Sequence, residues 1–452
     1  MRDLKDISHF YFIGIGGIGM SALARYLHTQ GKQVAGYDRI VTRLSKQLEH
    51  EGINIHYQSK YEEIPQDFKN PDIAQVIYTP AVPQGFEELV RFRESGIPIT
   101  KRAQLLGQIS KTMTCMAIAG THGKTTTSAI LAHLLYKCDV KVTAFLGGIL
   151  EGYDTNYLNS GNDVMVVEAD EFDRSFLQLD PDYAGITAID PDHLDIYGSE
   201  REFREAFNDF GKLVPDGALF INESVDLNGK KVGVDSGAYH ITDLTINNGS
   251  YFFNLKTPNG TLEDWRLQMP GRHNLANAVL ALSMAIEYGA DVEKLKLALA
   301  NFQGVERRFS YKLNSKKFVV IDDYAHHPTE IEAVYQAASE MYPDEKCTVI
   351  FQPHLFSRTR DFMDDFARSL SDFDKVGVLN IYPAREEPIK GVHSAVLCEK
   401  IRSQESSPHM CTLLEKEDIA EFILEMNNRI VLILGAGDIG AEVEQVCQKL
   451  NR

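Results

Sequence analysis

A chain of 452 residues with 46 Lys and Arg against 64 Asp and Glu carries a formal charge of −18. At ~150 residues per domain that length supports about three cores, and a composition 44% hydrophobic and 24% charged is globular rather than disordered or fibrous. The acidic balance argues against a nucleic-acid binder or a basic membrane-surface protein, since either needs a positive field.

Strand-like apolar runs alternate with helical periodicity along almost the whole chain, which predicts an α/β fold of parallel sheets. The first section takes His9–Ile13 into GIGGIGMSALA and continues through Gln33–Tyr37 and Gln75–Thr79 to Ile97–Lys101. The second opens on Thr114–Ala119 and runs to about Gly304. The third starts near Arg307, with strand candidates Phe318–Ile321, Thr348–Phe351, Val376–Leu379 and Ile430–Leu434. The divisions are placed at 1–106, 107–306 and 307–452. Residues 226–268, with Asn-Gly and Asp-Ser-Gly turns, read as antiparallel hairpins late in the second section. No apolar run reaches the ~18 residues of a membrane span, and no basic-then-apolar leader opens the chain, so no membrane partner is expected. Six scattered cysteines without a C-x-x-C pair read as the reduced thiols of a cytoplasmic protein.

Gly14, Gly16, Gly17 and Gly19 follow a strand and precede a helical pattern, and Asp38 follows Gly19 by 19 residues, after a second strand. That is the dinucleotide fingerprint, and a nicotinamide dehydrogenase is one reading. The same loop suits the diphosphate of any nucleotide, a UDP-sugar included.

The segment Thr114–Thr127, TCMAIAGTHGKTTT, is a strand, a glycine turn and a helix start. Backbone N–H groups and a helix N-terminus converge there on an anion. Lys124 supplies charge for the β- and γ-phosphates of ATP, and the Thr125 hydroxyl is placed for Mg²⁺. Ile118 stands where the general phosphate-loop pattern has its first glycine.

Two later strands end in acids: Val164–Val167 enters Glu168-Ala-Asp170-Glu171, and Ala184–Ile189 enters Asp190-Pro-Asp192-His193. Ligands of open α/β sheets sit at such ends, and Mg²⁺ takes oxygen ligands there. The pattern leaves open which of Glu168, Asp170 and Glu171 turns inward. Asn274 and Asn277, three residues apart, share a helix face, although Asn274 reads equally well as a helix cap. Val320–Asp323 brings two carboxylates to another strand end, before Tyr324-Ala-His326-His327. Adjacent histidines lack the spacing of zinc ligands, so substrate or nucleotide contacts are the reading preferred. Gln352-Pro-His354-Leu-Phe-Ser-Arg358-Thr-Arg360 concentrates positive charge on a strand-end loop of an acidic chain.

GIGGIGMSALA, GTHGKTTT, EADEFDRSFL, DPDHLDIYG, GRHNLANA, GVERRF, DDYAHHPTEI and QPHLFSRTRDF, in this order, resemble the Mur ligase family over nearly the whole chain. The resemblance implies three domains: a UDP-binding Rossmann-like domain, a central ATPase domain and a C-terminal Rossmann-like domain for the incoming amino acid. It implies that Gly14, Gly16, Gly17, Gly19 and Asp38 bind a UDP-linked substrate rather than NAD, and that Ile118 is no departure, because the family uses the shorter GTHGKT form. By motif, Gly120, Thr121, His122, Gly123, Lys124, Thr125 and Thr126 form the ATP loop. Glu168 resembles the family's metal-binding glutamate, and His193 the ligand of a second Mg²⁺. His273, Asn274 and Asn277 match the nucleotide-contacting motif. Arg308 and Asp323 match residues that close onto the nucleotide and complete a catalytic set with Lys124, Glu168 and His193. Tyr324, His326, His354 and Arg358 lie where product and amino acid are held.

Two departures stand out. Leu355 replaces an arginine common in the family, and REAFNDF carries Asn208 and no lysine where other members carry a carbamoylated lysine. The implied activity is ATP- and Mg²⁺-dependent joining of L-alanine to the lactyl carboxylate of UDP-N-acetylmuramate, through an acyl phosphate, for cytoplasmic peptidoglycan precursor synthesis. A family member that adds a tripeptide is the nearest alternative. An NAD-dependent dehydrogenase and a non-catalytic nucleotide-binding module are alternatives of other classes.

Overall fold

In the first two sections, the apolar run that opens the section becomes the middle strand of a parallel sheet. The computed structural model describes residues 2–190, 197–247, 250–384, 386–405 and 410–451. Strands β1 (His9–Ile13), β2 (Gln33–Tyr37), β3 (Asn54–His56), β4 (Ala74–Tyr78) and β5 (Ile99–Lys101) pair in the order β3-β2-β1-β4-β5. All four pairings are parallel. Alternate residues of β1 enter different cores: Phe10 and Phe12 join Met20, Leu23 and Leu27, whereas Tyr11 and Ile13 join Val76, Leu89 and Phe92. A sheet covered on both faces accounts for the unbroken apolar runs, each large side chain contributing about 1.5–3 kcal/mol.

The second sheet comprises β6 (Thr114–Ala119), β7 (Val142–Leu150), β8 (Thr155–Asn159), β9 (Val164–Glu168), β10 (Tyr183–Ile186), β11 (Leu219–Asn222) and β12 (Lys230–Val232), in the order β12-β11-β10-β6-β9-β7-β8. Only the β7–β8 pairing is antiparallel. The chain leaves β6 to one side and returns to its other side as β10, which makes the exit of β6 a topological switch point. The helix Lys124–Lys137 that follows is buried continuously from Thr126 to Leu135. The spacing of Ile130, Leu131, Leu134 and Leu135 predicts one buried face; this helix is instead enclosed all round, because Thr126, Thr127 and Ser128 are buried with it.

Strands β13 (His240–Asn247), β14 (Ser250–Thr257) and β15 (Gly260–Leu267) form a three-stranded sheet in sequential order. Two residues separate β14 from β15, too few for a crossover, so that pair is the antiparallel hairpin expected.

The last sheet takes β16 (Ser310–Asn314), β17 (Val319–Asp323), β18 (Cys347–Phe351), β19 (Lys375–Val378), β20 (Met410–Leu413) and β21 (Ile430–Leu434) in the order β16-β17-β21-β18-β19-β20. It is parallel except at β16. Val319, Ile321, Val349, Phe351, Leu432 and Leu434 pack on one face, and Val320, Ile350, Val431 and Ile433 on the other. The fold is therefore α/β with three domains built on parallel sheets.

By contacts the chain divides into two compact units. One holds residues 1–243, 253–265 and 276–302, and with them the first two sheets; the other holds 244–252, 266–275 and 303–452, and with them the last sheet. Among the described residues no helix is long and apolar enough to cross a membrane.

Candidate active site

The phosphate loop lies at the carboxyl end of β6. Gly120 and Gly123 have φ of 132° and 79°, conformations that glycine adopts without strain. The exit of β10 clamps the loop: Thr121 N–H donates to the Ala188 carbonyl at 3.0 Å, and Asp190 N–H to Thr121 Oγ1 at 3.0 Å. The Thr187 hydroxyl donates to the Ala119 carbonyl at 3.2 Å and to the His122 carbonyl. His122 Nε2 lies 3.3 Å from Asp190. Asn277 presses on the turn at Gly123, where a β-carbon would meet its amide.

The acids left open by the sequence have three separate destinations. Glu168, at the end of β9, accepts from Thr125 Oγ1 at 3.1 Å, Ser128 Oγ at 3.3 Å and Gly147 N–H at 2.6 Å. Glu171 takes the Lys124 ammonium at 2.8 Å, with side chains 4% and 17% exposed. Asp170 reaches Arg102 at 2.9 Å. Burial works against the Lys124 ammonium, but the nearby Glu171, Asp170 and Glu168 outweigh it and hold its pKa above the ordinary lysine value. Lys124 Nζ also donates to the Gly120 carbonyl. Thr125 and Glu168 thus converge two hard oxygen donors beside the phosphate loop, a set that fits Mg²⁺, which keeps waters and phosphate oxygens as its remaining ligands. His193 lies outside the described residues.

At the N-terminal glycine loop the backbone is largely committed. Gly14 and Ile15 N–H donate to the Tyr37 carbonyl at 2.7 and 3.0 Å, and Gly17 N–H to the Gly14 carbonyl at 3.3 Å. Gly16 N–H donates to Asp38 Oδ2 at 2.8 Å, and Ile40 N–H to Asp38 Oδ1 at 3.1 Å. The cradle is narrower than the fingerprint implies: among the described residues, only the Ile18 and Gly19 amides of this loop have no acceptor.

In the second unit, β17 runs through both of its carboxylates rather than stopping before them. Asp323 accepts from Phe309 N–H and Ala325 N–H, each at 2.7 Å. Burial raises its carboxyl to about 6, opposed by Arg308 and those two amides. Asp322, one residue back and on the opposite face, sits 3.5 Å from Arg307. The Arg307 and Arg308 guanidinium carbons lie over the Tyr324 ring at 5.1 and 5.2 Å. Ring contacts then run from Tyr324 to His326 at 5.3 Å and from His326 to His354 at 6.0 Å. Arg358 Nη1 is 3.4 Å from His354 Nδ1, so four residues assigned to the amino-acid end are gathered together. His326 Nδ1 is 2.9 Å from the Tyr324 carbonyl and must donate there, which leaves Nε2 as an acceptor. Burial is the main force that lowers this imidazole to about 4; Glu330 opposes it and Arg358 adds to it. Asn274 lies inside the helix Arg272–Tyr288 and does not cap it by this bond: its Nδ2 donates to the Pro270 carbonyl at 2.6 Å, and it belongs, with His273, to a different unit from Asn277.

Family models for the Mur ligase catalytic domain, middle domain and glutamate ligase domain match residues 9–114, 118–285 and 307–437. The chain belongs to the Mur ligase family. The UDP-N-acetylmuramate–L-alanine ligase of Christiangramia forsetii is 51% identical to it, over 100% of this chain and 99% of that protein. Its counterpart in Flavobacterium psychrophilum is 47% identical over 99% of each. The crystal structure of UDP-N-acetylmuramate-alanine ligase from Thermotoga maritima superposes with a TM-score of 0.84 at 30% identity, covering 98% of this chain and 99% of that one.

Sequence reading of this Mur ligase missed one motif in plain view. Gly435-Ala-Gly437-Asp-Ile-Gly440 follows β21 and has the same G-x-G-x-x-G form as the N-terminal loop. Arg307 donates to the Gly435 and Gly437 carbonyls, and Gln352 pins the loop by donating to Asp438 at 2.8 Å and accepting from Ile439 N–H at 3.0 Å. A cleft of about 290 Å³ opens beside it, lined by Gln352, Asn380, Tyr382, Lys416 and Asp438. Glu171 and Arg102 carried weaker signals: an acid cluster and a basic pair after β5, neither of which reveals its partner.

Proposed function

We propose that the chain joins L-alanine to the lactyl carboxylate of UDP-N-acetylmuramate, with hydrolysis of ATP to ADP and phosphate, as a cytoplasmic step of peptidoglycan precursor synthesis. The observation that carries this is end-to-end likeness to L-alanine ligases in a chain whose phosphate loop sets Lys124 and Thr125 near Glu168 at the end of β9. The chain departs from a dehydrogenase in needing that second loop.

A carboxylate at neutral pH is a poor electrophile, so it must be activated before an amine can attack. One lactyl carboxylate oxygen forms a bond to the γ-phosphorus while the bond to ADP breaks, giving an acyl phosphate. Lys124 spreads the charge that develops on the phosphoryl oxygens. Thr125 and Glu168 are the described residues that would hold Mg²⁺, which when bound neutralises phosphate charge and orients the γ-phosphoryl group. The ammonium of L-alanine gives up one proton to become the free amine, which bonds to the acyl carbon; the nitrogen loses a second proton to solvent as the carbon–oxygen bond to phosphate breaks, leaving the amide and inorganic phosphate.

We place the ATP loop at Gly120–Thr126 with Asn277 beside it, and His273 and Asn274 near the nucleotide. Arg308, Asp323 and His193 complete the catalytic set. Tyr324, His326, His354 and Arg358 are placed at the amino-acid end, where the Arg358 guanidinium suits a carboxylate. Gly14, Gly16, Gly17, Gly19 and Asp38 are placed at the UDP-linked substrate, and the domains at 1–106, 107–306 and 307–452. Lys124→Ala tests the assignment: ligation should be lost while UDP-N-acetylmuramate still binds in calorimetry. Loss of both would overturn the separation of the two loops.

A further inference from the structure

We propose that Arg102 is the cation that receives the diphosphate of the UDP-linked substrate, and that Asp170 is the counter-ion the diphosphate displaces. The proposal rests on placing that substrate at the N-terminal glycine loop. Arg102 is the first residue of the helix Arg102–Ser110, directly after β5. Its guanidinium lies against Gly19 and would have to shift to admit a β-carbon there. Gly19 is the second residue of the helix Ile18–Thr29, whose N-cap, Gly17, offers no side-chain bond.

Three observations converge on this residue. The amides of Gly14, Ile15, Gly16 and Gly17 are bonded to Tyr37, Asp38 and Gly14 itself, so a diphosphate is left with Ile18 and Gly19, the second of which lies against Arg102. Asp38 sets a carboxylate beside the same loop, and the chain carries −18 overall, so the loop dipole alone faces an unfavourable field. Arg102 is the guanidinium in contact with the loop, and a planar fork suits phosphate oxygens. Its partner Asp170 is 41% exposed at 2.9 Å, a solvent-screened pair that a more highly charged diphosphate can displace. Lys101, next door, pairs with Asp173 at 2.9 Å.

The sequence signal is slight, since Arg102 stands far from the glycines and belongs to none of their motifs.

Calorimetry on the full chain with UDP, UMP, UDP-N-acetylmuramate and ADP tests the proposal. Arg102→Ala should weaken UDP and UDP-N-acetylmuramate by about ten- to a hundredfold, the range of a lost charge-assisted contact. The UDP-to-UMP affinity ratio should collapse, ADP should be unaffected, and Arg102→Lys should recover part of the loss. Asp170→Asn, which removes the competing charge, should tighten UDP. Unchanged UDP affinity in Arg102→Ala would overturn the proposal, as would equal losses for UDP, UMP and ADP, which mark a structural role. Failure of the wild-type chain to bind UDP or UDP-N-acetylmuramate would overturn the reading of the loop, and the proposal with it.

Discussion

With ATP at the proposed phosphate loop, Glu171 and the nucleotide phosphates would compete for one ammonium. Lys124 holds Glu171 at 2.8 Å in a nearly enclosed site, and a cation there is costly without a counter-charge. Glu171→Gln should therefore lower the melting temperature, and ADP should raise it more in the variant than in wild type, because phosphate restores the missing charge. Equal ADP-induced shifts in differential scanning fluorimetry would contradict this. At the other end of the chemistry, free L-alanine brings a carboxylate into an acidic protein. On the proposed assignment Arg358, with leucine rather than arginine at position 355, would carry more of that charge. Arg358→Ala should raise the alanine KM by about one to two orders of magnitude and leave the Kd for ATP unchanged; an unaltered alanine KM would remove it from the site.

At the level of elements, the strand ends hold the titrating groups, and the end of β17 shows how their signs combine. Asp323 is raised to about 6, so between its ordinary value of 3.8 and about 6 the folded chain binds more protons than the unfolded one, and its contribution to stability is lost as pH rises through about 6. His326 is lowered to about 4 from 6.5, so in that window the unfolded chain binds more protons and stability is lost as pH falls. The two oppose each other from about 4 to 6. Asp323→Asn removes one of them, so the variant should lose stability more steeply on acidification than wild type, in urea unfolding followed from pH 7 to 4. Parallel profiles would show that Asp323 does not titrate there.

The same scale shows what the sequence could and could not convey. β1, β6 and β21 are runs of apolar residues covered on both faces, and periodicity located each of them closely. β3, with three residues, is too short to leave a period, β20 follows no such run, and β16 is a polar edge strand, whereas β5 falls within the extended segment Ile97–Lys101. The motifs placed Lys124, Thr125 and Glu168 on adjoining strand ends because each follows an apolar strand. Partners joined only by folding, such as Glu171 to Lys124 or Arg102 to Asp170, leave no mark in local order. Gly435–Gly440, by contrast, is legible in the sequence as a second G-x-G-x-x-G loop.

For the whole molecule, Asn208 is exposed, and its side chain merely returns to the Arg204 carbonyl of its own helix at 3.3 Å. No lysine occupies that stretch, so activity should be independent of bicarbonate, and intact mass should show no carbamate; stimulation by added bicarbonate would contradict this. ADP release reports the choice of reaction. With UDP-N-acetylmuramate, ATP and Mg²⁺ present, L-alanine should start ADP release in equal measure with UDP-N-acetylmuramoyl-L-alanine, while a tripeptide or the omission of the UDP-sugar should leave it at background. Release driven by the tripeptide and not by L-alanine, or no release with L-alanine at all, would show that the chain is not an L-alanine ligase.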